Sequence, residues 1–465
     1  MRRLLLLTLL LGTVARAQDA PPATRIDSPS ETDKLKGGCF NLKGLPDCAE
    51  ELFTGQPVHV AVGSMPAQNG FGAGLAYVGH KTTENWRNSW DADAVGSNNA
   101  SWRAGVYLQF VHTPNKPVGV SFGLPPKPQA NPSELPEHTV FGLYAQAISL
   151  NKLTYFGIGP SAKVTGRSFY GMTQTVIGGN VVKPLYARLN ASVHGEMNGR
   201  FVSLRASRGQ PSPSIEQLYT GATAPGLASQ PGTLQLGEGV RIRPVLAADV
   251  VRLDYDVSYE QFVTPTNLNF TFQRVTIDLD HEFALYSKTT RQFESRDGNG
   301  PDDCATDPST TSSPCPNPYV RNLEGSVGIR FFTSLAMTPG GDAVPFYFQP
   351  TLGGTDIDGN ASLTSYQDYR FRAPNVLLFR ENFEHSIWTL PVGVTFIADQ
   401  GKVALTRGSF GESGWLHSFS AGLTLRAGGF PEVYLLFSWG GNEGTHTIAN
   451  VNSALLGGTR RPSLF

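Results

Sequence analysis

The sequence lacks several features that would assign it to a common class. Its formal net charge is only −1, so no global field would draw nucleic acid to it. After the first residues, no segment approaches the roughly 18 apolar residues of a membrane-spanning helix. No repeat of roughly 40–50 residues is present, which argues against a propeller. Glycine, at 51 residues, and aromatic side chains, at 10%, are plentiful instead, and they favour many strands joined by turns.

Residues 1–17 have the pattern of a secretory signal peptide. They begin with MRR, continue with a leucine-rich run and end in ARA, which matches a basic start, a short apolar core and a small-residue cleavage site. A membrane anchor is the alternative, but the run is too short to span. We expect an exported protein, with residues 18–56 as a short periplasmic segment and residues 57–465 as the main domain.

The four cysteines fall into two pairs that are close in sequence. An exported chain meets oxidants, and zinc sites prefer tighter spacing with nearby histidines. The simplest of the three possible connectivities predicts two disulfides, Cys39–Cys48 and Cys304–Cys315.

From about residue 57 the sequence alternates with period two. In residues 101–112, Trp102, Val106 and Leu108 share one face, while Arg103 and Gln109 share the other. Between 14 and 18 such segments follow one another without intervening helices. This pattern is typical of a transmembrane antiparallel β-barrel with an apolar lipid face and a polar lumen. We predict an all-β barrel of about 16 strands in the outer-membrane lipid of a bacterial cell; a soluble sandwich is the alternative.

Three connections are long and polar, at residues 114–137, 200–238 and 286–323. Outer-membrane barrels carry long loops outside the cell and short turns in the periplasm. The sequence therefore predicts that all three lie on the exterior side.

No stretch supports catalysis or a metal. Residues 119–123 fit a GxSxG pattern, but the proline-rich residues that follow cannot form the helix which a nucleophile elbow requires. Residues 296–304 and 356–360 resemble parts of calcium loops, and turn chemistry explains both, since Asp, Asn and Gly are the residues of tight turns. We expect no enzyme activity, no cofactor and no metal, with structural calcium in an exterior loop as the alternative.

Residues 344–456 carry a resemblance to a family. The segments FYFQPTLGG, LLFRENFEHSIW, LPVGVTFIADQGKVA, HSFSAGLTLRAGG and EVYLLFSWGG occur in that order. This order resembles the C-terminal half of the BamA/TamA superfamily of outer-membrane insertases, also described as bacterial surface antigens. The resemblance implies that residues 353–375 form a loop folding into the lumen. It also implies that two acids, here Glu384 and Asp399, receive an arginine from that loop.

The loop motif itself departs from the family. Where the family has L-R-G-Y, this chain has Leu363, Thr364, Ser365 and Tyr366. A carboxylate pair without its cation would repel, so Arg370 or Arg372 is expected to substitute. Members of the family usually carry periplasmic POTRA modules, but residues 18–56 are too few for one. We therefore expect a monomeric, barrel-only member, with Phe465 as the terminal aromatic residue common in such barrels.

The implied role is the assembly or export of proteins at the outer membrane, with unfolded barrel clients or periplasmic chaperones as partners. A passive channel or transporter and a surface-exposed structural or adhesive antigen are the alternatives.

Overall fold

A computed structural model describes residues 57–113, 138–207, 213–246, 250–292, 319–340, 342–387, 392–427, 430–441, 443–451 and 462–465. The four cysteines lie outside these residues, so the two disulfides stay a prediction. The described residues belong to one compact unit and are almost entirely strand. The sixteen long strands are β1 (Val58–Ser64), β2 (Phe71–Thr82), β3 (Trp86–Ser97), β4 (Trp102–His112), β5 (Val140–Tyr155), β6 (Ser168–Tyr186), β7 (Ala191–Ala206), β8 (Thr233–Ile242), β9 (Val251–Val263), β10 (Phe272–Gln292), β11 (Tyr319–Met337), β12 (Asn375–Ser386), β13 (Val392–Ala404), β14 (Leu416–Ala427), β15 (Phe430–Trp439) and β16 (His446–Val451).

Each strand pairs with the next one along the chain, and every pairing is antiparallel. The first and last strands, β1 and β16, also contact each other. The prediction of an all-β, sixteen-stranded antiparallel barrel is confirmed. Two-residue strands Val245–Leu246, Thr351–Leu352 and Phe371–Arg372, one helical turn at Ile215–Leu218 and five short 3-10 helices complete the described structure. Among the described residues, no helix has the length and apolar character needed to cross a membrane.

The two faces of the barrel wall differ as the alternation requires. On β4, Val106 is 54% exposed while Arg103 is buried. On β15, Phe437 is 52% exposed while Ser438 is 0% exposed. Because large apolar side chains point outward and polar ones inward on successive positions, the outer surface suits lipid and the interior suits water and hydrogen bonds.

The strand directions correct the prediction about the long connections. In an antiparallel meander, successive connections lie at opposite rims. We call the rim where β1 ends the loop rim; it carries the connections after β7 and after β11, from residues 207 to 232 and 338 to 374. β4 and β10 end at the other rim, at His112 and Gln292, and residues 114–137 and 293–318 lie outside the described residues. The strands that precede the three long connections therefore do not all end on one side, because parity and not loop length assigns the rim.

Candidate functional site

The connection between β11 and β12 folds back into the barrel. We call its residues 353–372 the inner loop. Its neck is a two-residue antiparallel pair in which Thr351 faces Arg372 and Leu352 faces Phe371. Leu363, Tyr369 and Arg370 of the loop are all buried. This buried course agrees with the inward loop that the family resemblance implies.

Two glycines allow the chain to turn at the neck. Gly353 and Gly354 have backbone φ angles of 100° and 62°. Residues other than glycine rarely adopt such positive φ angles. A Cβ on Gly354 would lie 2.6 Å from the backbone of Asp368. The LGG sequence before the loop therefore has a steric reason, because both the backbone angle and the close approach require residues without a Cβ.

The tip of the inner loop is a turn built on Asp356. Its Oδ1 accepts hydrogen bonds from the backbone N–H of Asp358 at 3.0 Å and of Asn360 at 2.7 Å. Gly359 supplies a φ of 90° within this turn. Burial, and then the like charge of Asp358, raise the pKa of Asp356 to about 7. The calcium-like spacing of residues 356–360 thus forms an aspartate-capped turn.

An ion pair of the barrel wall holds the middle of the inner loop. Arg380 on β12 and Asp399 on β13 face each other in register. Arg380 donates to both carboxylate oxygens of Asp399, at 2.7 Å from Nε and 2.9 Å from Nη2. The pair also holds the loop backbone, because Asp399 accepts from the N–H of Leu363 at 2.7 Å and Arg380 donates to the carbonyl of Ala361 at 2.6 Å. We call these four contacts the clamp.

The clamp holds a strained backbone. Leu363 has a φ of 46°, in the left-handed region that a bulky residue seldom occupies. Such strain costs roughly 1–3 kcal/mol and persists only where the surroundings fix it. Because the N–H of Leu363 is the group that Asp399 holds, the clamp acts at the strained residue itself.

Four hydroxyl groups continue the attachment towards the last strands. Thr364 bonds to Ser420 on β14 at 2.5 Å and accepts from Ser438 on β15 at 2.9 Å. The backbone N–H of Ser365 donates to Ser418 on β14 at 2.9 Å. The inner loop therefore contacts four consecutive strands, β12 to β15.

The predicted substitute arginines have other partners. Arg370 donates to Glu443, in the connection between β15 and β16, at 2.6 Å, and to the carbonyl of Ala162 at 2.9 Å. Arg372 donates to the carbonyls of Phe346 and Gln349. Neither contacts Asp399 in the described structure, where the wall residue Arg380 takes that role.

Glu384 is not part of the clamp. It faces Thr395 on β13 and Ser326 on β11, four residues along β12 from Arg380. At about 3.3 Å per residue, this separation is roughly 13 Å. The structure therefore brings Asp399, Leu363, Thr364 and Ser365 together and leaves Glu384 apart. Tyr366 stacks edge-on against Phe371, with ring centroids 5.0 Å apart.

The wall of the lumen carries further ion pairs. Arg330 donates to both carboxylate oxygens of Asp278, and Arg241 likewise to those of Asp254. These pairs are partly exposed, in keeping with a hydrated wall. Among the described residues, no group of three or more His, Cys, Asp or Glu side chains could hold a metal ion.

Phe465 does not end a barrel strand. The last strand is described as far as Val451, and Pro462–Phe465, which is not strand, lies inside the barrel. The carbonyl of Ser463 accepts from Arg200, an inward-facing residue of β7, at 2.9 Å.

The fold and the clamp together define a sixteen-stranded barrel whose lumen holds a fastened loop between its eleventh and twelfth strands. In fold the chain is similar to CdiB from Acinetobacter baumannii, with 13% identity over 85% of this chain and 60% of that one and a TM-score of 0.44. It is similar to BamA from Haemophilus ducreyi lacking POTRA domains 1-3, with 10% identity, coverage of 85% and 70%, and a TM-score of 0.47. It is also similar to CdiB from Escherichia coli, with 12% identity over 85% of this chain and 62% of that one and a TM-score of 0.48.

The chain spans 60%, 70% and 62% of the length of these three proteins. The similarity concerns the fold. No protein-family model matches the sequence, and no significant match was found among curated proteins.

Proposed function

We propose that this protein is an outer-membrane barrel that assists the insertion or translocation of other proteins. The observation that carries the proposal is the attachment of the inner loop to β12–β15, directly beside the junction of β16 and β1. β1, on one side of this junction, has only seven residues, and β16 is described as far as Val451. We call their junction the seam.

A short first strand gives a physical route for a client. β1 offers seven residues for pairing at the seam, whereas β13 has 13 residues and β10 has 21. A strand edge that opens transiently can pair with an incoming strand, since unpaired backbone groups form a template. A short outer face at the seam would also thin the bilayer locally. This role requires no catalytic residue and no cofactor.

The inner loop would keep the seam strands in place while the barrel is idle. It bonds to β14 and β15 through hydroxyl groups and to Glu443 just before β16. With the N-terminal start of β1 in the periplasm, the loop rim lies outside the cell. An unfolded outer-membrane protein, delivered by periplasmic chaperones, is the partner we propose.

The polar lumen favours a second candidate, a selective channel. Partly exposed ion pairs such as Arg330–Asp278 line the wall and would select ions by charge. The fastened loop counts against a permanently open pore, because it occupies the interior.

A client-folding assay tests the proposal. The mature barrel is refolded into liposomes, an unfolded small barrel protein is added, and its folding is followed by heat-modifiable gel mobility. We expect faster folding than in empty liposomes. A closed barrel with long terminal strands, reconstituted at the same density, controls for general disturbance of the bilayer. If folded protein accelerates the client no more than this control, the insertase proposal fails; selective conductance would then favour the channel.

A further inference from the structure

The C-terminal tetrapeptide Pro462–Phe465 lies between the inner loop and the wall across the barrel. Arg200 of β7 holds the carbonyl of Ser463 from one side. Asp358, at the tip of the inner loop, holds the peptide from the other. The inner loop is fastened to β12 and β13, about six strands away from β7 around a barrel of sixteen. The peptide therefore bridges the lumen.

The contacts at Asp358 are those of a specific peptide site. Its Oδ2 accepts from the hydroxyl of Ser463 at 2.6 Å, and its Oδ1 accepts from the backbone N–H of Leu464 at 2.7 Å. Hydrogen bonds to a charged carboxylate are stronger than those between neutral groups. One side chain thus binds two successive residues of the tail.

The wall side of this site is itself rigid. Arg200 is 0% exposed, and its Nε donates to Asn198 at 3.0 Å and to Gln235 at 2.6 Å. Gln235 donates in turn to Glu260 at 2.7 Å. Because these partners fix the guanidinium, its Nη1 is oriented towards the Ser463 carbonyl without further ordering.

The apolar end of the peptide completes the site. Leu464 is 5% exposed and belongs to the same buried cluster as Phe262, Phe272 and Phe348, and Phe465 packs against that cluster. Phe262 and Phe272 face each other across β9 and β10 with stacked rings 4.3 Å apart. The cluster provides a preformed apolar surface against which Leu464 and Phe465 pack.

We propose that this interior site is a binding site for a peptide segment of the Ser-Leu-Phe type, and that its resident ligand, residues 462–465 of this chain, is a plug. The bound tail fills the space between the inner loop and the β7 wall. Its release opens a path along that wall, while the clamp keeps the loop in place. The proposal concerns closure of the lumen and does not depend on insertase activity.

Single-barrel conductance in planar bilayers tests the plug. One variant ends after Arg461, and a second, Asp358→Ala, removes both loop contacts to the tail. Asp342→Ala is the matched control, since Asp342 belongs to the same connection and its described contact is from its backbone N–H to Pro339. Heat-modifiable mobility establishes that each variant is folded. Because a hydrogen bond to a charged group is involved, we expect open-state occupancy to rise at least about tenfold in both test variants and not in the control.

Free peptide then tests the site directly. Addition of Pro-Ser-Leu-Phe to the truncated barrel should restore the closed state, whereas Pro-Ser-Asp-Phe should not, because a carboxylate would lie against the apolar surface. The proposal is overturned if the folded truncated barrel conducts like the full chain, if Asp342→Ala opens the lumen as much as Asp358→Ala, or if both peptides act alike.

Discussion

Replacing Arg380 by alanine tests whether the clamp is the device that holds the inner loop. The change removes both hydrogen bonds to Asp399 and the one to Ala361. It leaves the Asp399 carboxylate 1% exposed and without its cation. Breaking a buried ion pair from one side costs about 3–5 kcal/mol. Arg380 is 17% exposed, so the lumen hydrates the pair in part, and we expect about 3 kcal/mol.

The assay needs one readout for the barrel and one for the loop. Equilibrium unfolding in denaturant, followed by tryptophan fluorescence in lipid vesicles, gives the free energy of unfolding. Trypsin reports on the loop, since Arg370 and Arg372 are buried cleavage sites inside it. We expect the Arg380→Ala barrel to be cleaved after these arginines while the strands resist. A local loss of about 3 kcal/mol corresponds to a more than hundredfold rise in the open population.

Arg241→Ala is the matched control for the clamp. Arg241 also makes a two-point bond to an aspartate on a neighbouring strand, but its side chain is 28% exposed, whereas the Asp399 side chain of the clamp is 1% exposed. A partly exposed pair of this kind contributes below about 1 kcal/mol. The clamp reasoning is wrong if Arg380→Ala destabilises the barrel no more than this control, or if trypsin still finds the loop protected.

Two further predictions concern the two ends of the inner loop. Glu443→Ala should cost about 1–3 kcal/mol, because it leaves a buried Arg370 guanidinium without its carboxylate, and should expose Arg370 itself to trypsin; a Glu443→Gln barrel with equal losses would contradict the hydrogen-bond argument. The pKa of Asp356 is about 7 in the folded protein, against an ordinary value of about 3.9 in the unfolded chain. Between these two pH values the folded state binds more protons than the unfolded state. The free energy of unfolding should therefore fall as pH rises from about 4 to about 7. Denaturant unfolding at several pH values measures this dependence, and Asp356→Asn should reduce it. If the variant keeps the same pH dependence, other titrating groups cause it.

The strands were predictable because their signal is local. A period of two requires only that one face meets lipid and the other meets the lumen. Thr395 and Asp399 are buried while Phe396 is 52% exposed, as alternation requires. The inward course of the loop was predicted from the family resemblance, and the structure supplies the steric reason for the two glycines at its neck.

The partner of Asp399 was not predictable in the same way. Arg380 shares an inward face with Glu384, which the alternation indicates, but only the register of β12 against β13 decides which of them faces Asp399. Register depends on the connection between Ser386 and Val392, and a shift of two residues keeps every side chain on its face. Sequence reasoning therefore assigned the clamp to Arg370 or Arg372, which the fold directs to Glu443 and to backbone carbonyls.

The clamp holds the inner loop without using a charged side chain of the loop itself. Asp399 and Arg380 hold the N–H of Leu363 and the carbonyl of Ala361, which are backbone groups that any residue supplies. A cation placed on the wall thus removes the need for one in the loop, and Thr364 and Ser365 become available to bond the serines of β14 and β15. Because those strands lead to the seam, displacement of the seam strands would break hydroxyl contacts to the loop before it broke the clamp. The inner loop is therefore anchored firmly at β12–β13 and more weakly towards β16, which is the order that a barrel opening at its last strand requires.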